Sequence, residues 1–224
     1  MNDKELVAYA ALDYIEDNSI IGLGTGSTAD IFIKILAEKI SKESLNISVV
    51  ASSVISQKKA NDAGLKYISI DQVTSIDLYV DGADEITQNL EILKGLGFDL
   101  IREKLLAQMS KKFIVIGDNS KIVSKIGQNY FIPIEITPIA WKITKILIEK
   151  IAKKCIVREN MEKNAFAISS YGNFVLDCEF NYSELDTLAK EIANTPGVFE
   201  HGLFLNLASL AIVSNNGQIK KILK

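Results

Sequence analysis

Short apolar runs alternate with stretches of helical periodicity through the first half of the chain. Leu6, Ala10 and Ile15 recur at roughly helical spacing over residues 4–17, and the pair Ile20-Ile21 then runs straight into a glycine-rich turn. Ile31, Ile35 and Leu36 share one face of the segment 29–40, so the spacing predicts a helix directly after that turn. Short apolar strands are predicted again at 47–51, 67–70, 78–80 and 113–116. From about Asn129 the texture changes. The pattern there predicts a strand over 131–136, a helix over 138–153 and a strand over 155–158. A hairpin follows, pairing 165–169 with 174–178 around Tyr171-Gly172-Asn173, and then a helix over 183–194 stopped by Thr195-Pro196-Gly197. The last stretch, 208–214 and 218–223 about the turn Asn215-Asn216-Gly217, is a hairpin placed to return to the first sheet.

Strands alternating with helices predict an α/β fold: a Rossmann-like, mostly parallel sheet with helices on both faces. The insertion adds a small α+β, ferredoxin-like domain. The expected division is 1–128 with 202–224 for the sheet domain and 129–201 for the small one. The 224 residues, 48% hydrophobic and 24% charged, suffice for one large or two modest cores. A net charge of −3 gives no global field to recruit nucleic acid or an anionic membrane. The longest apolar stretches fall far short of the roughly 20 residues that span a bilayer, and the opening Met1-Asn2-Asp3-Lys4-Glu5 lacks the basic start and apolar core of a secretory signal. A cytoplasmic chain is expected, with its two cysteines, Cys155 and Cys178, as free thiols.

An anionic ligand must then be caught by local chemistry. Gly22-Leu23-Gly24-Thr25-Gly26-Ser27-Thr28 lies between a strand and a helix, where unpaired backbone N–H groups and the helix dipole suit a phosphate. A dinucleotide fingerprint requires its third glycine one place later and an acid at the end of the second strand, which here reads Ala51-Ser52-Ser53. A Walker loop requires a lysine that this turn lacks. A small phosphorylated ligand fits better than NAD or ATP, although such a turn can also be only a tight turn. The strand 78–80 breaks into Asp81-Gly82-Ala83-Asp84-Glu85, three carboxylates just past a strand's carboxyl end, where open α/β sheets bind ligands. Clustered acids repel one another, so a purely structural turn has little reason to accumulate them. The single histidine, His201, is far away in sequence, and no metal site is expected.

Lys94-Gly95-Leu96-Gly97 precedes a helix predicted from about Phe98 to Met109. Leu100, Leu106 and Ala107 neighbour Glu103 at helical spacings, so it can face inward with a raised pKa suited to a general base. Flanked by Arg102 and Lys104, it also reads as a residue of a solvated face, and on spacing alone that reading is the stronger. Gly117-Asp118-Asn119-Ser120-Lys121, again past a strand, supplies another cation or a helix cap.

Taken together, Gly24-Thr25-Gly26-Ser27-Thr28, then Val80-Asp81-Gly82-Ala83-Asp84-Glu85, then Lys94-Gly95-Leu96-Gly97 with Arg102-Glu103-Lys104, then Asp118 to Lys121 resemble the type A family of ribose-5-phosphate isomerases, through nearly the whole chain. The resemblance implies reversible aldose–ketose isomerisation of D-ribose 5-phosphate and D-ribulose 5-phosphate through a cis-enediolate, in the non-oxidative pentose phosphate pathway. It implies catalysis by Glu103 as proton carrier with Asp81, Asp84 and Lys94. It further implies substrate contacts from Thr25, Gly26, Ser27, Thr28, Asp81, Gly82, Ala83, Asp84, Lys94, Gly95, Leu96, Gly97 and Lys121. The reaction has no net redox change, so no cofactor and no metal is expected. The expected partner is the sugar phosphate, with neither nucleic acid nor membrane, in a homodimer or homotetramer. Two departures stand out. Leu96, Phe98 and Asp99 interrupt a loop that the family fills with glycine and alanine, and the family's first-helix lysine has no clear counterpart, since Val7 and Ala8 sit nearby and Lys4 lies earlier.

Two other classes compete. A sugar-phosphate sensor normally carries a DNA-binding module, for which the lead before Ile20 is too short. An acyl-transfer or lactone-hydrolysing enzyme calls for a nucleophilic glutamate on CoA or a histidine-assisted water, and His201 is poorly placed for the latter.

Overall fold

A computed structural model describes residues 1–223. In chain order the elements are α1 (Asp3–Ala11), β1 (Ile20–Leu23), α2 (Ser27–Glu43), β2 (Ser48–Ala51), α3 (Val54–Asp62), β3 (Lys66–Tyr67) and β4 (Ile76–Asp81). Then come β5 (Glu85–Ile86), β6 (Ile92–Leu93), α4 (Leu100–Met109), β7 (Ser110–Asp118), β8 (Ile132–Ile136), α5 (Trp141–Glu149), β9 (Lys154–Val157) and β10 (Phe174–Glu179). The chain closes with α6 (Leu185–Ala193), β11 (Val198–His201), β12 (Leu203–Phe204), β13 (Leu210–Asn215) and β14 (Gln218–Leu223).

The main sheet has the order β14-β13-β7-β4-β1-β2-β3, parallel throughout except for the antiparallel edge strand β14. Both of its faces are buried, as βαβ crossovers require, and successive side chains go to opposite cores. Leu78, Val80, Ile114, Ile116 and Ile212 pack against α1 and α2 on one face. Tyr79, Phe113, Val115 and Val213 pack on the other against Leu100, Leu106 and Ala107 of α4. Tyr79 stacks on Phe113 with ring centroids 4.8 Å apart; removing a fully buried ring of that kind costs about 3 to 5 kcal/mol. Asn2 caps α1 in a reciprocal capping box with Glu5, which fixes where the first helix starts.

The second sheet is antiparallel, ordered β11-β8-β10-β9. With α5 and α6 it gives the succession β8-α5-β9-β10-α6-β11, the ferredoxin-like arrangement that the sequence predicts. Cys155 and Cys178 face each other across β9 and β10 with sulfurs 3.1 Å apart, both free and buried. The hairpin expected from 165–169 does not form as a regular strand pair: only the isolated bridges Glu159–Phe166 and Ile168–Phe174 are present. Its turn survives, because the buried carboxylate of Glu135 accepts from Ser169 Oγ at 2.6 Å and Asn173 Nδ2 at 3.0 Å. A third sheet, β12-β6-β5, is built of two-residue strands, too short for the apolar pattern to predict. Among the described residues no helix is long and apolar enough to cross a membrane.

Candidate active site

Three neighbouring parallel strands, β1, β4 and β7, deliver their carboxyl ends to one place. The loop after β1 passes so close to β4 that a Cβ on Gly24 would lie 2.1 Å from Asp81 Oδ1. Only glycine fits there. Gly26, at φ +117°, turns the chain into α2, and the first intrahelical donor is Asp30 N to Gly26 O at 2.8 Å. The N–H groups of Ser27, Thr28 and Ala29 therefore precede the helical ladder and open the positive end of a 17-residue helix. Thr25 is different from its neighbours. Its N–H donates to Asp81 at 3.0 Å and its hydroxyl bonds to Ser52 and Ser53 at 2.9 and 2.7 Å, so the side chain is turned into the body of the protein.

The three acids of the segment 81–85, from the last residue of β4 to the first of β5, take three different positions. Asp81 is fully buried. Its Oδ1 accepts from Thr25 N and Gly82 N, and its Oδ2 accepts from Tyr79 Oη and pairs with Lys94 Nζ at 2.9 Å. Glu85 is also fully buried and is occupied by the backbone N–H groups of Gly127, Asn129 and Tyr130. Asp84 borders open space and accepts from Leu96 N at 3.2 Å. Burial raises the Asp84 carboxyl above its ordinary range against the opposing pull of Lys94 and the Leu96 N–H.

Lys94 is 4% exposed and donates to Gly82 O at 2.8 Å. Burial alone would lower its pKa, but the carboxylates of Asp81 and Glu103 overcome that and hold it above the usual lysine range. Glu103 lies on the inward face of α4, 3.4 Å from the Lys94 ammonium. That contact lacks hydrogen-bond alignment, so among the described residues the buried Oε2 has no hydrogen-bond donor. Burial pushes the Glu103 carboxyl from 4.5 up to about 7, with Lys94 opposing and Asp81 and Asp84 adding to the rise. A group poised there accepts and returns a proton with little free-energy difference near neutral pH.

These groups border one cavity of about 390 Å³, within the usual range for a small-molecule site. It is lined by Gly26, Ser27 and Thr28 from the start of α2, by Gly82, Ala83 and Asp84 from the turn after β4, by Lys94, Gly95, Leu96 and Gly97, by Glu103 of α4, and by Asp118 and Lys121 from the end of β7 and the segment after it. Thr25 also borders it. Of the predicted site residues only Asp81 does not, since it stands behind Lys94. The apparent gap in the first helix is filled by Lys4, whose Nζ donates to Ser27 Oγ at 2.8 Å and which lines the cavity beside Thr28. The bulk of Leu96 and Phe98 is carried outward, 43% and 39% exposed. His201 is elsewhere, buried against Lys104, and burial holds it neutral with a pKa lowered to about 3. Among the described residues no cluster of His, Cys, Asp or Glu is arranged to hold a metal ion.

A helix N-terminus with free N–H groups and hydroxyls, and a carboxylate of raised pKa beside an ammonium, border the same cavity, and these are the parts needed to move a proton along a phosphorylated chain. Comparison with known proteins points the same way. The profile of the family described as ribose 5-phosphate isomerase A (phosphoriboisomerase A) matches residues 48–218. Ribose-5-phosphate isomerase A of Prochlorococcus marinus (strain MIT 9211) is 39% identical over 94% of this chain and 90% of the relative. That of Pyrococcus furiosus is 38% identical over 98% and 96%. Among solved structures, a D-ribose-5-phosphate isomerase in complex with phospho-erythronic acid superposes with a TM-score of 0.95 at 36% identity, covering 100% of both chains. The ribose 5-phosphate isomerase A of Methanocaldococcus jannaschii gives 0.92 at 32% identity, covering 99% and 98%. The chain belongs to the ribose-5-phosphate isomerase A family.

Proposed function

We propose that this chain, an aldose–ketose isomerase of ribose 5-phosphate by its family, carries the transferred proton on Glu103. Ribose 5-phosphate rests mainly as a ring and must open before its carbonyl can move. Asp84, the turn carboxylate bordering the cavity, exchanges the proton between ring oxygen and C1 hydroxyl. Glu103 then removes the proton from C2 and a cis-enediolate forms; the O2 hydroxyl proton passes to O1, and the same carboxyl returns the carbon-bound proton to C1 to give ribulose 5-phosphate with its carbonyl at C2. Lys94 stabilises the charge that develops on the enediolate oxygens. Asp81 does not touch substrate in this scheme; its carboxylate fixes the Lys94 ammonium and the loop at Thr25. The phosphate is held by Ser27, Thr28, Lys4 and Lys121. The observation that carries the reading is the buried Glu103 oxygen beside Lys94, without a hydrogen-bond donor and with a pKa near 7.

The division into a domain of 1–128 with 202–224 and a second of 129–201 accompanies this reading. It is supported by the sheet β11-β8-β10-β9, all four strands of which fall within 129–201; Lys224 lies outside the described residues. A cytoplasmic homodimer or homotetramer, acting without metal or cofactor and apart from nucleic acid and membrane, completes it. Ribulose 5-phosphate formation followed by absorbance tests the scheme. Activity should survive exhaustive EDTA dialysis and fall about 10² to 10⁴-fold in Glu103→Gln. A chelator-dead enzyme rescued by magnesium, or a fully active Glu103→Gln, would overturn it.

A further inference from the structure

Arg158, the first residue after β9, crosses from the small sheet to the back of the cavity wall. Its Nε and Nη2 donate to the two carboxylate oxygens of Asp177 on β10 at 2.9 and 2.5 Å, a fork-to-fork pairing that fixes the guanidinium plane. The remaining nitrogen, Nη1, then faces three consecutive carbonyls: Gly95 O at 2.9 Å, Gly97 O at 3.1 Å and Leu96 O at 3.4 Å. The side chain is 11% exposed, so water competes poorly for these contacts. On the opposite side of the same loop the Leu96 N–H donates to Asp84, and the loop backbone borders the cavity. Gly95, at φ +106° and with Pro133 and Leu100 within 3.0 Å of any added Cβ, allows the chain to take this path.

We propose that Arg158 is a positioning residue for the isomerisation: it gathers the carbonyls of Gly95, Leu96 and Gly97 on the side away from substrate, so that the loop presents N–H groups to the cavity and to Asp84. The inference rests on the isomerase reading of the cavity. Its physical reason is electrostatic. The substrate carries a phosphate and its enediolate is a second anion, so a carbonyl turned toward it would oppose the charge that Lys94 is placed to stabilise. The small sheet supplies the one guanidinium that holds those carbonyls back. Lysine is no equivalent, because a single ammonium cannot grip Asp177 in two places and still offer donors to three carbonyls in one plane. The bulky Phe98 belongs to the same device, with the guanidinium carbon 5.9 Å from its ring centre.

The test compares Arg158→Lys and Asp177→Asn with wild type in kcat and KM for ribose 5-phosphate, in competitive inhibition by inorganic phosphate, and in thermal unfolding. In Arg158→Lys, kcat should fall about 10- to 100-fold; in Asp177→Asn, which keeps the guanidinium but loosens its anchor, about 3- to 10-fold. The inhibition constant for phosphate should stay within about twofold in both, since Arg158 bonds to Asp177 and the 95–97 carbonyls and to none of Ser27, Thr28, Lys4 and Lys121. An unchanged kcat in a folded Arg158→Lys overturns the proposal. So does a loss of kcat matched by an equal loss of phosphate binding, which would mean a collapsed site rather than a misdirected loop. If Arg158→Lys fails to fold, an unchanged kcat in Asp177→Asn is decisive against it. A wild-type chain that inorganic phosphate does not inhibit, or that does not turn over ribose 5-phosphate, would instead sink the underlying reading of the cavity.

Discussion

Replacing Glu103 by glutamine should stabilise the folded chain at pH 8 relative to pH 5. The residue is 6% exposed, and burial lifts its carboxyl from 4.5 to about 7. A carboxyl raised on folding binds its proton more tightly in the folded state. Below about pH 4.5 both states are protonated and the residue imposes no such cost; as the pH climbs toward 7 the unfolded chain ionises first and stability falls; above 7 the full cost remains. At about 1.4 kcal/mol for each pH unit separating the two titrations, that cost is about 3 kcal/mol. Glutamine has no such titration, and Lys94 keeps Asp81 at 2.9 Å and Gly82 O at 2.8 Å, so no charge is left unpaired. Any fixed effect of the amide is the same at both pH values and cancels in the comparison. Between pH 5 and pH 8 the stability difference should therefore move by about 2 to 3 kcal/mol in favour of the variant. Urea unfolding followed by far-ultraviolet circular dichroism, at matched ionic strength, measures it. A difference that does not change with pH, or that moves against the variant, would refute the account of Glu103 as a buried carboxyl of raised pKa.

Two further substitutions probe other parts of the site. Lys4→Ala should raise KM for ribose 5-phosphate about tenfold with kcat nearly unchanged, because the contact it removes is made equally in ground and transition states; steady-state kinetics over a range of substrate checks this. Gly24→Ala should lower Tm by about 5 to 10 °C and reduce activity, since its methyl would sit 2.1 Å from Asp81 Oδ1 and 2.6 Å from the Asp81 backbone; calorimetry measures the shift, and a wild-type-like Tm would show that β1 and β4 are less tightly opposed than described.

What was legible in the sequence depended on whether a physical rule acts locally. The strand, glycine turn and helix from Ile20 onward could be read because apolar spacing and backbone freedom are properties of the segment itself. The inward face of α4 is visible in Leu100, Leu106 and Ala107, all buried, although spacing alone favours a solvated face for Glu103, which the structure buries with them. The two-residue strands of the third sheet were not legible, because two residues carry no period. Nor was the fate of 165–169, where a partner distant in sequence, Glu135, takes the groups of Ser169 and Asn173 and a regular hairpin gives way to a braced turn. The three acids of the turn after β4 look alike in sequence; only the approach of Thr25, Lys94 and the segment at Gly127 separates them. Lys4 carries no local signal for the same reason, since its nearness to Ser27 comes from how α1 lies against α2. Arg158 gave no signal at all, its three carbonyl partners lying some sixty residues earlier.

The most direct test follows a single atom. Ribose 5-phosphate carrying deuterium at C2 can be given to wild type and to Glu103→Gln, with nuclear magnetic resonance reporting the label at C2, at C1 of ribulose 5-phosphate and in water. The account predicts that wild type strips the label from C2, delivering part to C1 and part to solvent, and that Glu103→Gln leaves it at C2 while inorganic phosphate still binds. Loss of the label from C2 at the wild-type rate in Glu103→Gln would contradict the account and move the proton-carrying role to Asp84, a second carboxylate that lines the cavity.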